Sequence, residues 1–403
     1  MQYILAEKFK NTAEGNRAND ILAKCVHCGF CTATCPTYQL LGDELDGPRG
    51  RIYQIKQVLE GEQPTPKMQL HLDRCLTCLS CETTCPSGVE YGKLAEIGKN
   101  IVEREVKRPF IESLKRKLLR LVIPYPNRFS YLFKIGLIFK PFLPGALKKH
   151  IHKPINTGVW PEAKHDRKML VLDGCVQSVM SSNINAATAR VLDRLEVSLL
   201  SVKESGCCGA VSLHLQASNE AKNFMRANID AWWPYIEQGI EAIVMTASGC
   251  GTVVKDYHDH LSNDPIYAEK AKKISSLVKD ISEVIIKEDL SKLKILDNKS
   301  KVAPHIPCSL QHGQQINGVV ETILTKLGYE LTSVEDAHLC CGSAGTYSLL
   351  QTNISNELRD NKLDALEKDT PDSIATANIG CLHHLQAGTD KKVQHWIELL
   401  DEV

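Results

Sequence analysis

The stretch CVHCGFCTATCP at residues 25–36 sets four cysteines in eleven positions and closes on a proline. CLTCLSCETTCP at residues 75–86 repeats it, with every cysteine displaced by fifty residues. Both read C-x2-C-x2-C-x3-C-P, through Cys25, Cys28, Cys31, Cys35 and Pro36, then Cys75, Cys78, Cys81, Cys85 and Pro86. Three thiolates at two-residue gaps on a curling loop can converge on three corners of one small inorganic cube. The fourth stands where the chain takes a new direction and points elsewhere. Each proline lacks an N–H and sets the exit direction.

This spacing is that of two-cluster ferredoxins, in which the fourth cysteine ligates the other cluster. The resemblance implies two [4Fe–4S] clusters with crossed ligation. Cluster A would use Cys25, Cys28, Cys31 and Cys85; cluster B would use Cys75, Cys78, Cys81 and Cys35. Zinc ribbons instead present two C-x2-C pairs separated by a longer loop, which fits the close triple spacing poorly. His27 and Thr77 lie between the cysteines, but cysteine already fills every corner. Between the motifs, Pro48 opens an expected helix with Ile52, Ile55, Val58 and Leu59 on one face, and Gly61 and Pro64 end it. Arg49 and Arg51 at its start either bring positive charge to a cluster or form a solvated first turn.

The chain has 403 residues, 43% hydrophobic and 24% charged, which excludes a disordered or collagenous chain. Its 48 basic and 48 acidic residues cancel, so no nucleic-acid partner is expected. We read no secretory signal at the start and no run of about twenty apolar residues that would span a bilayer. A cytoplasmic, reducing location is expected, where clustered cysteines hold metal rather than form disulfides. All sixteen cysteines fall inside repeated patterns.

The second pattern fills the rest of the chain. HDRKMLVLDGCV reads as a strand ending at Cys175; residues 185–195 read as a helix; EVSLLSVKESGCCGA reads as a strand entering Cys207, Cys208 and Gly209. A helix over 213–230 and a strand ending at Cys250 follow. The second half repeats this at Cys308, then Cys340, Cys341 and Gly342, then Cys381, with offsets of 133, 133 and 131 residues. Two copies of one α/β domain explain the offsets, each with a parallel sheet and its cysteines at the carboxyl ends of strands. Adjacent Cα atoms are about 3.8 Å apart, too close for an unstrained disulfide within a Cys–Cys pair. The eight cysteines are therefore candidate ligands for a metal or an iron–sulfur cluster. A buried pair of small hydrophobes is the alternative.

The double motif followed by two C…CCG…C domains resembles the family of iron–sulfur subunits of glycolate oxidase, anaerobic glycerol-3-phosphate dehydrogenase and heterodisulfide reductase-like proteins. Within it, CVHCGFCTATCPTYQLLGDELDGPRGRIYQIK, CLTCLSCETTCPSGVEYGKLAEIG, CCGSAGTYSLLQ and IGCLHHLQ are very like the glycolate oxidase type. The resemblance implies an α+β multidomain chain. A helical ferredoxin domain spans 1–105, a basic apolar connector 106–165, a first CCG domain 166–290 and a second 291–403. Fuller CCG domains end in C-x2-C and hold a five-ligand double cluster. Here Ala247 and Asn378 stand three before Cys250 and Cys381, and Val253 and His384 three after them, so each domain has four cysteines. That leaves a four-thiolate cluster, a zinc or a purely structural site open. His383 and His384 are either additional ligands or exposed helix residues.

Residues 113–153 carry ten lysines and arginines and no acid, with phenylalanines and leucines crowding the middle and four prolines interrupting it. Such a segment suits an anionic membrane surface or a linker meeting an acidic partner. The sequence contains no flavin or nicotinamide fingerprint of the G-x-G-x-x-G kind. The chain is thus expected to be the non-catalytic wire of a glycolate or other 2-hydroxy acid oxidase. Electrons would arrive from a flavin-binding subunit and leave to a membrane acceptor such as quinone, at the cytoplasmic face of the inner membrane. The alternatives are the corresponding subunit of a lactate or glycerol-3-phosphate dehydrogenase, a thiol–disulfide reductase acting through the CCG domains, and a zinc scaffold.

Overall fold

A computed structural model describes residues 3–140, 156–293 and 300–401. The chain forms two compact units, one of Met1–Arg116 with His338–Lys362, the other of Lys117–Ala337 with Leu363–Val403.

The first unit is helical. Helix α1 (Ala13–Lys24) is capped by Thr12, whose hydroxyl accepts from the Gly15 N–H at 3.0 Å. Helix α2 (Pro48–Leu59) opens on proline and buries Ile52, Ile55, Val58 and Leu59, as its periodicity predicts. Arg51 is buried on the same face. Helix α3 (Pro66–Asp73) and helix α4 (Tyr91–Glu105) complete the bundle. Ile21, Leu22, Ile55, Leu59, Leu72, Leu94 and Ile101 form its core. A Cβ on Gly98 of α4 would lie 2.5 Å from Cγ1 of Ile55, so glycine lets α2 and α4 close on each other. Helix α5 (Phe110–Val122) begins in this unit, and helix α6 (Pro126–Phe139) belongs to the second.

The second unit holds two four-stranded parallel sheets. One has the order β2-β1-β3-β4, from β1 (Arg167–Val171), β2 (Val197–Ser201), β3 (Ala242–Met245) and β4 (Val278–Asp280). The other has the order β6-β5-β7-β8, from β5 (Lys301–His305), β6 (Glu330–Leu331), β7 (Ser373–Thr376) and β8 (Lys392–His395). Identical order and all-parallel pairing make these two copies of one fold, as the cysteine offsets predict. The buried runs Met169–Val171 and Ala242–Met245 read as central parallel strands. Strands β4 and β8 escape the sequence reading because VKD and KVQH are short and mostly polar. The helix expected over 213–230 is two helices, Ala210–His214 and α7 (Ser218–Glu237), broken at Gln216, whose φ is +57°.

The two sheets meet inside this unit. The N–H of Ser248 donates to Ala377 O at 3.1 Å, the two serine hydroxyls of Ser248 and Ser309 lie 2.8 Å apart, and His395 Nε2 lies 2.8 Å from Thr246 O.

Candidate iron–sulfur sites

Each cysteine-rich loop curls by the same device. In the first, His27 and Gly29 have φ of +56° and +87°; in the second, Thr77 and Leu79 have +52° and +64°. Left-handed residues alternating with right-handed ones turn successive N–H groups inward, forming the concavity that many iron–sulfur sites use. Three of the four residues are not glycine, and for Thr77 this conformation is strained. The N–H of Thr77 donates to Cys75 Sγ at 3.4 Å, and that of His27 donates to Cys25. Positions 27 and 77 thus act through their backbone.

One cleft in the first unit is lined by Cys25, Cys28, Cys31 and Cys85, with Cys81, Arg49 and Tyr91 also on its wall. Cys28 is exposed there, and Val26 and Phe30 beside it are 68% and 61% exposed. Burial, then the neighbouring thiolates Cys25, Cys28 and Cys85, push the Cys31 thiol up to about 11. Four sulfurs lining one cleft form a soft donor set suited to a cationic iron cluster.

The other set is deeper. Cys35, Cys75 and Cys81 are buried and Cys78 is half-buried. Burial and the charges of Cys78, Cys75 and Cys35 push Cys81 up. Burial also opposes ionisation of Cys75, but Lys99, Arg51, the Tyr91 hydroxyl and the Thr77 N–H bring it down to about 7. The Tyr91 hydroxyl donates to Cys75 Sγ at 3.4 Å; Lys99 Nζ donates to Cys75 O at 3.2 Å. Beneath Cys35, the Thr37 hydroxyl lies 3.3 Å from Sγ and 2.8 Å from Asp46 O, and accepts from both terminal nitrogens of Arg51 at 3.2 Å. Arg51 is 1% exposed. Its charge lies 3.5 Å from the fully buried Asp46, which also accepts from Arg74 at 2.7 Å and pairs with His71 at 3.0 Å. Asp43, Asp46 and His71 sit close enough for a cation, but these partners already occupy Asp46.

Of the two arginines singled out in the sequence, Arg49 is half exposed and paired with Glu44 at 2.7 Å, while Arg51 is interior. Arg51 stands one helical turn before Ile55, so its place on the apolar stripe of α2 was the available signal. Asp46, Tyr91 and Lys99 carry no comparable pattern and were missed.

In the second unit, Cys175 follows β1, Cys207 and Cys208 follow β2, and Cys250 lies in the helix after β3, α8 (Ser248–Lys255). Their sulfurs make a continuous chain. Cys207 hydrogen-bonds Cys175 and Cys208, and Cys208 Sγ lies 3.3 Å from Cys250 Sγ. Hydrogen bonding with Cys208 and burial push Cys250 up. The loop is held from behind: buried Asn228 donates to Cys207 O at 2.9 Å, and the Tyr257 hydroxyl donates to Cys208 O at 2.9 Å.

Cys308 and Cys381 follow β5 and β7 in the second unit; the buried Cys340 and Cys341 lie in the 338–362 segment of the first. Gly209 and Gly342, which follow the paired cysteines, have φ of +94° and +85°. A Cβ there would meet Ala221 O at 3.0 Å and Ser355 O at 2.5 Å, so the third letter of each CCG answers both needs of glycine.

Asn378, where a fuller CCG domain has cysteine, has other work. Its Oδ1 accepts from the Gly249 N–H at 3.2 Å, across the contact between the sheets, and its Nδ2 donates to Cys381 Sγ at 3.5 Å. The exposed-helix reading of the two histidines is corrected. His384 is buried in the helix Ile379–Gln386, and His383 Nε2 lies 3.1 Å from Ser181 Oγ.

Two thiol-lined sites on a helical bundle, followed by two parallel-sheet domains with cysteines at their strand ends, define a dicluster iron–sulfur protein with tandem cysteine-rich domains. The chain matches the family described as "4Fe-4S dicluster domain" over residues 21–89 and that described as "Cysteine-rich domain" over 169–255 and 302–386. It is 54% identical to the glycolate oxidase iron–sulfur subunit of Escherichia coli (strain K12), covering 100% of this chain and 99% of that one. A probable glycolate oxidase iron–sulfur subunit of Bacillus subtilis (strain 168) is 29% identical, over 92% and 90% of the two chains. Lactate utilization protein A of Bacillus velezensis is 27% identical over 56% of this chain and 96% of its own. The chain belongs to the family of glycolate oxidase iron–sulfur subunits, and its cofactors are iron–sulfur clusters, two of them [4Fe–4S].

Proposed function

We propose that this chain is the non-catalytic electron-transfer subunit of a complex that oxidises glycolate. Cys25, Cys28, Cys31 and Cys85 hold cluster A, and Cys75, Cys78, Cys81 and Cys35 hold cluster B. The observation that carries this reading is the shared cleft of Cys25, Cys28, Cys31 and Cys85, open to the surface at Cys28. An iron–sulfur cluster passes one electron at a time, whereas oxidation of a 2-hydroxy acid removes two and belongs to a flavin. A flavin-binding subunit is therefore the expected donor and a membrane acceptor such as quinone the recipient. Cys175, Cys207, Cys208 and Cys250 form a four-thiolate metal or cluster site, and Cys308, Cys340, Cys341 and Cys381 occupy the matching positions in the sequence of the repeat. Glycolate is favoured over lactate because the resemblance to the glycolate oxidase subunits runs the whole length of the chain.

No helix among the described residues is long and apolar enough to cross a membrane. Phe110, Ile111, Leu114, Leu118 and Leu121 are exposed along α5, and Tyr131, Leu132, Ile138 and Phe139 along α6. With Lys115, Lys117, Arg128 and Lys134 interleaved, these helices suit the surface of an anionic bilayer at the cytoplasmic face. Arg116 is excluded from that role, being bonded to Asp73 and Glu112. The connector beyond residue 140, as far as 155, lies outside the described residues.

Anaerobic purification from the native host tests the central reading. Glycolate should bleach the cluster absorbance of the co-purified complex and leave the isolated chain unchanged. Glycolate oxidation or disulfide turnover by the isolated chain would contradict it. Flotation with anionic liposomes tests the membrane reading; protein left wholly in the soluble layer would remove it.

A further inference from the structure

The surroundings of the two cysteine sets differ in charge. Around Cys25, Cys28, Cys31 and Cys85, the nearby guanidinium of Arg49 is half exposed and neutralised by Glu44. Around Cys35, Cys75, Cys78 and Cys81, buried Arg51 stands behind Thr37, whose hydroxyl is 3.3 Å from Cys35 Sγ. Lys99 reaches Cys75 O, and the Tyr91 hydroxyl donates to Cys75 Sγ. Asp46 is the carboxylate that answers Arg51, and Arg74 shares it. A net positive charge therefore remains beside this set.

Reduction adds one electron, and hence one negative charge, to a cluster. Burial alone resists that charge, so the deeper set would otherwise hold the harder cluster to reduce. Cations and hydrogen-bond donors to the sulfurs favour the reduced form, and the same burial that excludes water leaves their field unscreened. A buried arginine also keeps its proton throughout the accessible pH range. We propose that Arg51 is the potential-setting residue of cluster B and raises it above cluster A. Electrons entering at the exposed Cys28 side then run downhill into the interior. Arg51 acts through its field, not by contact with the cluster, and the inference rests on the crossed cluster assignment above.

The test is an EPR-monitored redox titration of the full chain, prepared anaerobically. Wild type should show two midpoints, the higher one absent from Cys75→Ser. Arg51→Gln should shift that higher midpoint down and leave the lower one in place, and Arg51→Lys should restore most of the shift. Because Arg51→Gln removes a partner of buried Asp46, Tyr91→Phe serves as a second variant. It deletes one donor to Cys75 Sγ and should move the same midpoint down. Loaded clusters whose midpoints stay unmoved in both variants, or a higher midpoint belonging to cluster A, would overturn this proposal alone. A chain that never carries two clusters would overturn the cluster assignment as well.

Discussion

The hydroxyl of Tyr347 donates to the backbone carbonyl of Arg74 at 3.1 Å, joining residues 273 positions apart within the first compact unit. Arg74 immediately precedes Cys75, and Tyr347 lies in the segment that carries Cys340 and Cys341. Tyr347→Phe keeps the ring and loses one neutral hydrogen bond. It should lower the stability of this unit by about 1 kcal/mol, read by chemical denaturation, without loss of iron. An unchanged midpoint of unfolding would show that the bond contributes nothing.

Gly342 gives a sharper expectation. Its φ of +85° opposes a side chain, and so does Ser355 O, which lies 2.5 Å from the point a Cβ would occupy. Gly342→Ala should cost about 2–3 kcal/mol, whereas Gly206→Ala, with nothing within 4 Å of its Cβ position, should cost less than about 0.5 kcal/mol. Equal melting temperatures for the two variants would refute the steric account of the CCG glycine.

How much of this was legible in the sequence follows from where each signal resides. Ligand spacing is local, so the loops around Cys25 and Cys75 could be read directly. The duplication of the α/β domain is legible because an offset of 133 residues carries one set of cysteines onto the other. Contacts made to backbone atoms leave no such trace. Tyr347 on Arg74 O and Asn228 on Cys207 O are of this kind. Arg51 was ambiguous for another reason. A basic residue in the first turn of a helix is usually solvated, and only the tertiary partners Asp46 and Thr37 decide otherwise. Asn378 reads as a missing cysteine, yet structurally it is a contact between sheets.

His395 makes the contact between the two sheets sensitive to acid. Burial holds it down, against the opposing bond to Thr246 O, to about 4 from an ordinary 6.5. Nδ1 accepts from the Ile397 N–H at 3.2 Å, so Nε2 carries the proton given to Thr246. The folded state keeps this histidine neutral while the unfolded chain protonates near 6.5. Its contribution is present above 6.5 and is lost as pH falls toward about 4, amounting to about 3 kcal/mol. Thermal melts of wild type from pH 7 to pH 4.5 should show this loss, and His395→Gln should flatten the slope. An identical slope in the variant would remove His395 as its source.

The crossed ligation of two cubes by eight cysteines underlies the whole account, and Cys85→Ser tests it most directly. Iron, acid-labile sulfide and EPR of the reduced, anaerobically prepared variant should show one [4Fe–4S] cluster lost and the other intact. The lost one should be the cluster that Cys28→Ser also removes, although Cys85 belongs to the other motif. Retention of both clusters, or loss instead of the one that depends on Cys78, would contradict it.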